Sequence, residues 1–201
     1  MTTWIENPEG GRDRGPRALA RAWLEVLIRP RRFFRVGVSP GDQAPGLTFL
    51  MAVVCCAETT RYVLVPDTYP SLPVTPALAA VFWLSLVVLL VAPLSLHFTA
   101  ALQTLLLVPT VPDRAGISQT VQVLAYSTAP CVFAGVPVPE LRVLCAGYGA
   151  FLLLLGIRVV NETSWIRAIL AGSVPAALVF GYGFRGFAAL SDFGVVSQIH
   201  I

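Results

Sequence analysis

Lysine is absent from this 201-residue sequence, and charged residues of all kinds make up only 12% of it. So few charges cannot cover a water-soluble domain of this length, because 56% of the residues are hydrophobic and the mean hydropathy is +0.74. The apolar residues also fall in runs of about 20, the length that a helix needs to cross a bilayer. Composition therefore predicts an all-α, polytopic membrane protein, a bundle of transmembrane helices.

The patterns that most enzyme chemistry requires are missing as well. The four cysteines form no Cys-x-x-Cys pair, and the chain has neither a Gly-rich phosphate loop nor a His-Glu-x-x-His motif. We therefore expect no metal, no cofactor and no catalytic residue. A disulfide between Cys131 and Cys145 is an open alternative, but both lie in apolar runs, which favours buried free thiols.

Five apolar segments are predicted to cross the membrane. The second is 32 residues long without a formal charge, and we expect one kinked helix because Pro93-Leu-Ser makes a poor turn between two helices. Residues 1–15 are predicted to be disordered, and residues 186–201 to form a short C-terminal tail. The five predicted spans, which make up a transmembrane domain over residues 46–185, are 46–65, 77–108, 119–136, 141–160 and 166–184.

The distribution of arginine sets the orientation of these spans. Eight of the fourteen arginines lie between Arg12 and Arg35, ahead of the first span. With five spans and a cytoplasmic N-terminus, eleven arginines fall on the inner side and three on the outer side, as the positive-inside rule requires. The sequence thus predicts an external C-terminus. A basic cluster beside a span favours anionic lipid headgroups over nucleic acid as its partner.

Residues 16–45 are predicted to hold an amphipathic helix and a linker on the cytoplasmic side. Pro16 suits a first helical position, and Trp23 lies on an apolar face opposite several arginines. Such a helix lies in the membrane interface. The alternative is a solvated helix docked on cytoplasmic loops of the same protein. The residues predicted to bind the membrane surface are Arg17, Arg21, Trp23, Arg29, Arg31, Arg32, Phe33, Phe34 and Arg35.

The third predicted span carries polar residues where a lipid-facing helix would have leucine. Several recur at four-residue intervals and so share one helix face, which we expect at the centre of the bundle, while Val121 and Val132 face lipid. Pro130 frees a backbone carbonyl, and the Ser127 and Thr128 hydroxyls are expected to bond the backbone there. The predicted central stripe comprises Gln119, Gln122, Tyr126, Ser127 and Pro130.

Charged and small residues inside the spans give two further predictions. Glu58 and Arg61 are spaced i,i+3 in the first span, so they share a helix face and are predicted to form an intramembrane ion pair. A structural pair is favoured over a transport or proton-relay role. In the fourth span, Gly147, Gly149 and Gly156 are expected to allow close helix packing.

The order of these features resembles the Yip1 family of five-span membrane proteins. The resemblance rests on Trp23, Pro30 and Phe33-Phe34 before the first span, a long second span ending around His97, and the loop from Asn161 to Ala168. The most similar stretch is Leu124-Ala-Tyr-Ser-Thr-Ala-Pro130, followed by Pro137 and Pro139.

That resemblance implies a non-catalytic scaffold or adaptor that acts through protein–protein contacts, in membrane organisation or trafficking, with other membrane proteins or copies of itself as partners. Arginine without lysine, with abundant alanine, valine and leucine, is typical of a GC-rich prokaryotic genome, so the expected location is the cell membrane of a prokaryote. A small transporter or channel is the alternative function, because proline-interrupted spans can frame a site at the membrane midplane.

Overall fold

Prolines begin several of the helices, because a residue without an amide hydrogen loses nothing in a first helical turn. The computed structural model describes the backbone of residues 15–199 and the side chains of residues 15–192, and all regular structure in that range is helical. The predicted disorder of residues 1–15 lies outside the described residues except for Gly15. The α-helices are α1 (Pro16–Ile28), α2 (Pro30–Val36), α3 (Ala44–Leu64), α4 (Pro76–Leu86), α5 (Ala92–Thr110), α6 (Ile117–Ser127), α7 (Pro139–Val160), α8 (Trp165–Ala176) and α9 (Gly186–Ile199).

Four helical stretches are long and apolar enough to cross a membrane: Ala44–Leu64, Pro76–Thr110, Pro139–Val160 and Trp165–Gly183. The second of them is one continuous helix of 35 residues, in which α4 and α5 are joined through a π-helical stretch, Val87–Val91. Helix α8 likewise continues into a second π-helical stretch, Ala177–Gly183.

A proline lies two residues from each π-helical stretch, Pro93 after the first and Pro175 before the second. Proline lacks an amide hydrogen and therefore interrupts the regular ladder of hydrogen bonds four residues apart. The amides of Ala92 and Phe184 instead bond carbonyls five residues back, which is the wider π-helical pattern.

The segment predicted as the third span is built differently from the other four. Helix α6 ends at Ser127, and a short 3₁₀ helix, Ala129–Phe133, continues it, so no single long helix forms. The change falls at Thr128, ahead of Pro130. The segment runs parallel to α3, because Gly46 packs on Gln122 and Gly135 packs on Ala57.

This segment is enclosed on all sides. Every residue from 120 to 131 is buried, and α3, α5, α7 and the N-terminal helix α1 all contact it. Val121 is only 1% exposed, so the expectation that it faces lipid is wrong. The periodicity of one helix identifies its polar face, but it does not tell how many neighbours cover the other faces.

The chain connections define two ends of the bundle. At the Arg61 end lie the C-terminus of α3 and the loops 65–75, 134–138 and 184–185. At the Arg114 end lie the linker 37–43 and the loops 111–116 and 161–164. Helices α7 and α6 are antiparallel, because Gly156 packs on Val123 while the thiol of Cys131 lies 3.8 Å from the carbonyl of Cys145.

The N-terminal helices dock on the bundle itself. Ala18, Ala22 and Val26 form the buried face of α1. The indole Nε1 of Trp23 donates to the carbonyl of Ala129 at 2.8 Å, and the hydroxyl of Tyr148 donates to the carbonyl of Leu27 at 2.6 Å. Helix α1 is therefore held against the 3₁₀ segment and α7 by packing and by two polar contacts.

The C-terminal region, predicted as a short tail, contains helix α9. This helix packs on α7 and on the second π-helical stretch, and Ala189 is fully buried. Gly186 opens α9 where a side chain would meet the backbone of Phe180 and the methyl group of Ala146. Residues 200 and 201 lie outside the described part of the chain.

Candidate functional site: the cleft between the two π-helical stretches

The predicted central stripe lies in the interior. Gln122, Tyr126, Ser127 and Pro130 are buried, and Gln119 is half-buried at the start of α6. The Nε2 of Gln122 donates to the carbonyl of Ser39 at 2.6 Å, and the Ser39 amide donates back to Oε1 at 3.2 Å. One side chain thus satisfies both backbone groups of a residue in the linker before α3.

The hydroxyl groups ahead of Pro130 bond to nearby carbonyls. Ser127 donates to the carbonyl of Leu124 and Thr128 donates to that of Ala125, each at 2.7 Å. The predicted backbone-bonding role of these two hydroxyls is therefore confirmed. Because of these bonds, the chain can change from α-helix to 3₁₀ helix in an apolar environment without a loss of hydrogen bonding.

Tyr126 is the aromatic centre of the core. Its ring packs edge-on against Phe33 of α2 at 4.9 Å and Phe49 of α3 at 5.2 Å between ring centroids. Phe33 and Phe34 are each only 1% exposed, so both rings reach the protein core rather than its surface. The six arginines predicted to bind the membrane surface are all exposed: Arg17, Arg21, Arg29, Arg31, Arg32 and Arg35.

Glu58 and Arg61 meet at the ring of Tyr69, a residue of the loop at the Arg61 end. The hydroxyl of Tyr69 donates a hydrogen bond to the carboxylate of Glu58. The guanidinium carbon of Arg61 lies over the same ring, 5.5 Å from its centroid. Burial raises the pKa of the Tyr69 phenol, and the hydrogen bond to Glu58 raises that pKa further.

A cleft of about 500 Å³ lies beside this cluster, between α3, the helix Pro76–Thr110 and the second π-helical stretch. Both π-helical stretches line it, through Val87 and Val91 on one side and Leu178 and Val179 on the other. Such stretches are rare and occur frequently at functional sites. Most of the lining is aliphatic or aromatic, with Ser95, Thr99, Thr128 and Glu58 among its few polar side chains.

The cleft adjoins a small cavity at the Arg61 end. Arg61, Arg142 and Arg185 all line this cavity. Arg142 is anchored to the loop 134–138, where its Nε donates to the carbonyl of Ala134 at 3.2 Å and an Nη donates to that of Val136 at 3.3 Å. Arg185 has a positive φ of 60°, an uncommon conformation for a residue with a side chain.

Sequence reasoning missed this arginine cavity and the cleft beside it. Arg142 comes from the first turn of α7, Arg185 from the turn before α9 and Tyr69 from the loop 65–75, so no local spacing joins them. One signal was present: these arginines fall on the side of the predicted topology that carries few basic residues.

All four cysteines are free, and Cys131 and Cys145 are buried, as the apolar runs around them favoured. Within residues 15–192 no three His, Cys, Asp or Glu side chains lie together as a metal site would require. The chain is thus an α-helical, polytopic membrane protein with an apolar cleft that ends at arginines. It belongs to the Yip1 family, since the Yip1 domain matches residues 24–184, which is most of the chain. Searches of curated proteins and of solved structures found no significant match.

Proposed function

We propose that this Yip1-family protein is a non-catalytic scaffold or adaptor that joins membrane proteins, or copies of itself, through helix–helix contacts in membrane organisation or trafficking. The observation that carries the proposal is the helix Pro76–Thr110, the most apolar stretch in the described chain and the least covered. Only 6% of its most apolar window is buried, against 28% to 44% for the other three spanning helices. Ala79 is the one buried residue of α4.

The length of this helix supports the same proposal. Thirty-five residues extend about 52 Å, well beyond a hydrocarbon core of about 30 Å. A helix longer than the bilayer tilts, thickens the lipid locally or associates with other helices, and association also covers its exposed side chains. Phe82 and Leu89, 51% and 62% exposed, lie seven residues apart and so share the face offered to a partner helix.

Energy transfer between donor- and acceptor-labelled copies in liposomes tests self-association. Phe82→Ala with Leu89→Ala should weaken association about tenfold, because the loss of large side chains at a helix interface costs more than 1 kcal/mol. The matched control is Ile166→Ala with Leu170→Ala, which truncates two exposed apolar side chains of α8. Equal transfer in both double variants would contradict a contact along the helix Pro76–Thr110.

We further infer that the chain crosses the membrane five times, with residues 117–133 as the third crossing. Helix α6 and its 3₁₀ extension together span about 26 Å, close to the ~30 Å core. They run parallel to α3, which supports a full crossing. Helix α2 leads directly to the Arg114 end, so its arginines join Arg114, Arg158 and Arg167 there, as expected for the cytoplasmic side of a prokaryotic cell membrane.

Reporter fusions at Gly116 and Ile201 test this topology. The first should report the cytoplasm and the second the outside. Two fusions on the same side of the membrane would contradict an odd number of crossings.

The arginines at the corner of α1 and α2 are proposed to bind anionic headgroups. Arg29, Arg31, Arg32 and Arg35 line one open surface together with the exposed Ile28. Exposed arginines next to an apolar side chain match the charge and depth of a lipid interface. Arg31→Gln with Arg32→Gln should lower the enrichment of anionic over zwitterionic lipid around the protein, measured by spin-labelled lipids. Unchanged enrichment would contradict this role.

Transport is a second candidate, and one observation favours it: two interrupted helices border the same cleft, as in transporters whose sites lie between broken helices. The mostly apolar lining argues against passage of an ion or a polar solute, because such a path needs polar partners along its length. Uptake of a polar solute by liposomes containing the purified protein, absent from empty liposomes, would favour transport over the scaffold.

A further inference from the structure

The cleft and the arginine cavity adjoin each other. They share four lining residues, Ala57 and Glu58 of α3 and Gly183 and Phe184 at the end of the second π-helical stretch. The apolar half is a cleft of about 500 Å³, within the range of small-molecule sites. The polar half is a cavity of about 20 Å³, room for one water-sized group, and three arginines line it. A ligand that fills both halves must therefore be amphiphilic.

The charge of the cavity selects an anion. Three arginines face one carboxylate, Glu58, so the formal charges of the lining sum to three minus one, or +2. The carboxylate of Glu58 already accepts a hydrogen bond from Tyr69. Nη1 of Arg61 is buried and has no hydrogen-bond partner among the described residues, although a buried guanidinium nitrogen normally has one. Phosphate oxygens suit this group, because they accept several charge-assisted hydrogen bonds from the planar guanidinium.

The apolar half opens toward the surface that faces lipid. Phe98 and Tyr182, which line opposite sides of the cleft, are 70% and 71% exposed. A hydrocarbon chain can therefore enter sideways from the bilayer while its head remains at the Arg61 end, three residues before α3 ends. A free phosphate would leave the apolar cleft unused, and a neutral apolar molecule would leave the arginines unpaired.

We infer that the cleft and the cavity together bind a single anionic phospholipid, with an acyl chain between the two π-helical stretches and a phosphate group at the opening of the cavity that Arg61, Arg142 and Arg185 line. The site lies at the opposite end of the bundle from the arginines of α2, and so it is separate from their general attraction to anionic headgroups. It does not depend on which partner proteins the chain binds.

Native mass spectrometry of the full chain in mild detergent tests the site, with phosphatidylglycerol, phosphatidylcholine and inorganic phosphate as probes. One phosphatidylglycerol should be retained more tightly than phosphatidylcholine. Arg185→Gln should weaken its binding about tenfold, the effect of one lost charge-assisted hydrogen bond, because the described residues give this side chain no other partner. Arg167→Gln, which removes an exposed arginine at the other end, is the matched control and should change nothing.

A second pair of variants tests the apolar half independently of charge. Ser95→Phe places a ring in the cleft and should weaken phosphatidylglycerol binding, whereas Leu94→Phe, at a neighbouring residue that does not line the cleft, should not. Equal affinity of the wild type, Arg185→Gln and Ser95→Phe would overturn the proposal. So would competition by inorganic phosphate that removes the lipid from the wild type while Ser95→Phe binds normally, because the site would then hold only a small anion.

Discussion

The side chain of Gln122 and the backbone of Ser39 are joined by two hydrogen bonds across 83 residues of sequence. The amide of Gln122 is fully buried, and its partner lies in the linker between α2 and α3. This pairing fixes the linker against the most enclosed segment of the bundle. It explains why a polar residue lies in the middle of an apolar segment. The glutamine side chain supplies the hydrogen bonds that water would otherwise give to the backbone of the linker.

Gln122→Met should therefore be costly. It preserves the length and shape of the side chain but leaves the amide and carbonyl of Ser39 without partners, at about 2 kcal/mol or more of unfolding free energy. The control is Gln103→Met, because Gln103 is also buried but its Oε1 has no hydrogen-bond partner among the described residues. That change should be nearly neutral or stabilising. Unfolding in mixed detergent micelles measures both, and equal costs would contradict the argument.

Two glycines of α7 should respond in opposite ways to alanine. A Cβ on Gly149 would overlap the ring of Phe180, which is only 2% exposed and has little room to move. Gly149→Ala should cost about 1–3 kcal/mol through overpacking. A Cβ on Gly147 meets nothing within 4 Å, so Gly147→Ala should stabilise the helix by about 0.5–1 kcal/mol. Thermal unfolding in detergent distinguishes them; a more harmful Gly147→Ala would contradict the described packing.

The docking of α1 should depend on the indole of Trp23. Trp23→Phe keeps an aromatic ring near Phe133 but removes the hydrogen bond to the carbonyl of Ala129, a loss of about 1 kcal/mol. Trypsin cleavage in α1 should then become about fivefold faster, because local opening becomes more frequent. Trp83→Phe removes a similar bond to the carbonyl of Pro70 and should leave cleavage in α1 unchanged. Equal acceleration in both variants would indicate general destabilisation instead.

Tyr69 should make stability sensitive to high pH. Its folded-state pKa lies above the ordinary value of 10.0, so the folded protein holds the phenolic proton more tightly than the unfolded chain does. The resulting stabilisation is complete below about pH 10 and is lost as the pH rises above that value. The advantage of the wild type over Tyr69→Phe in unfolding free energy should therefore be constant from about pH 7 to 9 and shrink above 10. An advantage that stays constant to about pH 11 would contradict the contact with Glu58.

Those features of the protein that depend on local sequence were predictable. Membrane class follows from apolar runs, and the bonds of Ser127 and Thr128 follow from carbonyls three residues away on the same helix. The position of Gly149 and Gly156 against large side chains also agrees with the expectation of close packing, whereas Gly147 faces open space. Gly147 differs from the other two because neighbouring helices do not cover its face of α7. The sequence of α7 alone does not tell which of its faces are covered.

The candidate site was not predictable for the same reason. Arg61, Arg142 and Arg185 meet only because the end of α3, the start of α7 and the turn before α9 lie at the same level of the bundle. The docking of α1 on the 3₁₀ segment and on α7 likewise depends on Ala129 and Tyr148, which are more than a hundred residues away from their partners. Periodicity predicted an apolar face on this helix, but it did not tell whether lipid or protein covers that face.

The enclosed segment has a consequence for how the chain is made. Several polar partners of its residues come earlier in the sequence. Gln122 bonds Ser39, Ser127 and Thr128 bond carbonyls just before them, and the carbonyl of Ala129 accepts from Trp23. A chain that leaves the ribosome from its N-terminus has therefore already produced these partners when the segment emerges. The side chains of Gln122, Ser127 and Thr128 can therefore be satisfied during insertion, before α7 and α8 have been synthesised to close the bundle around the segment.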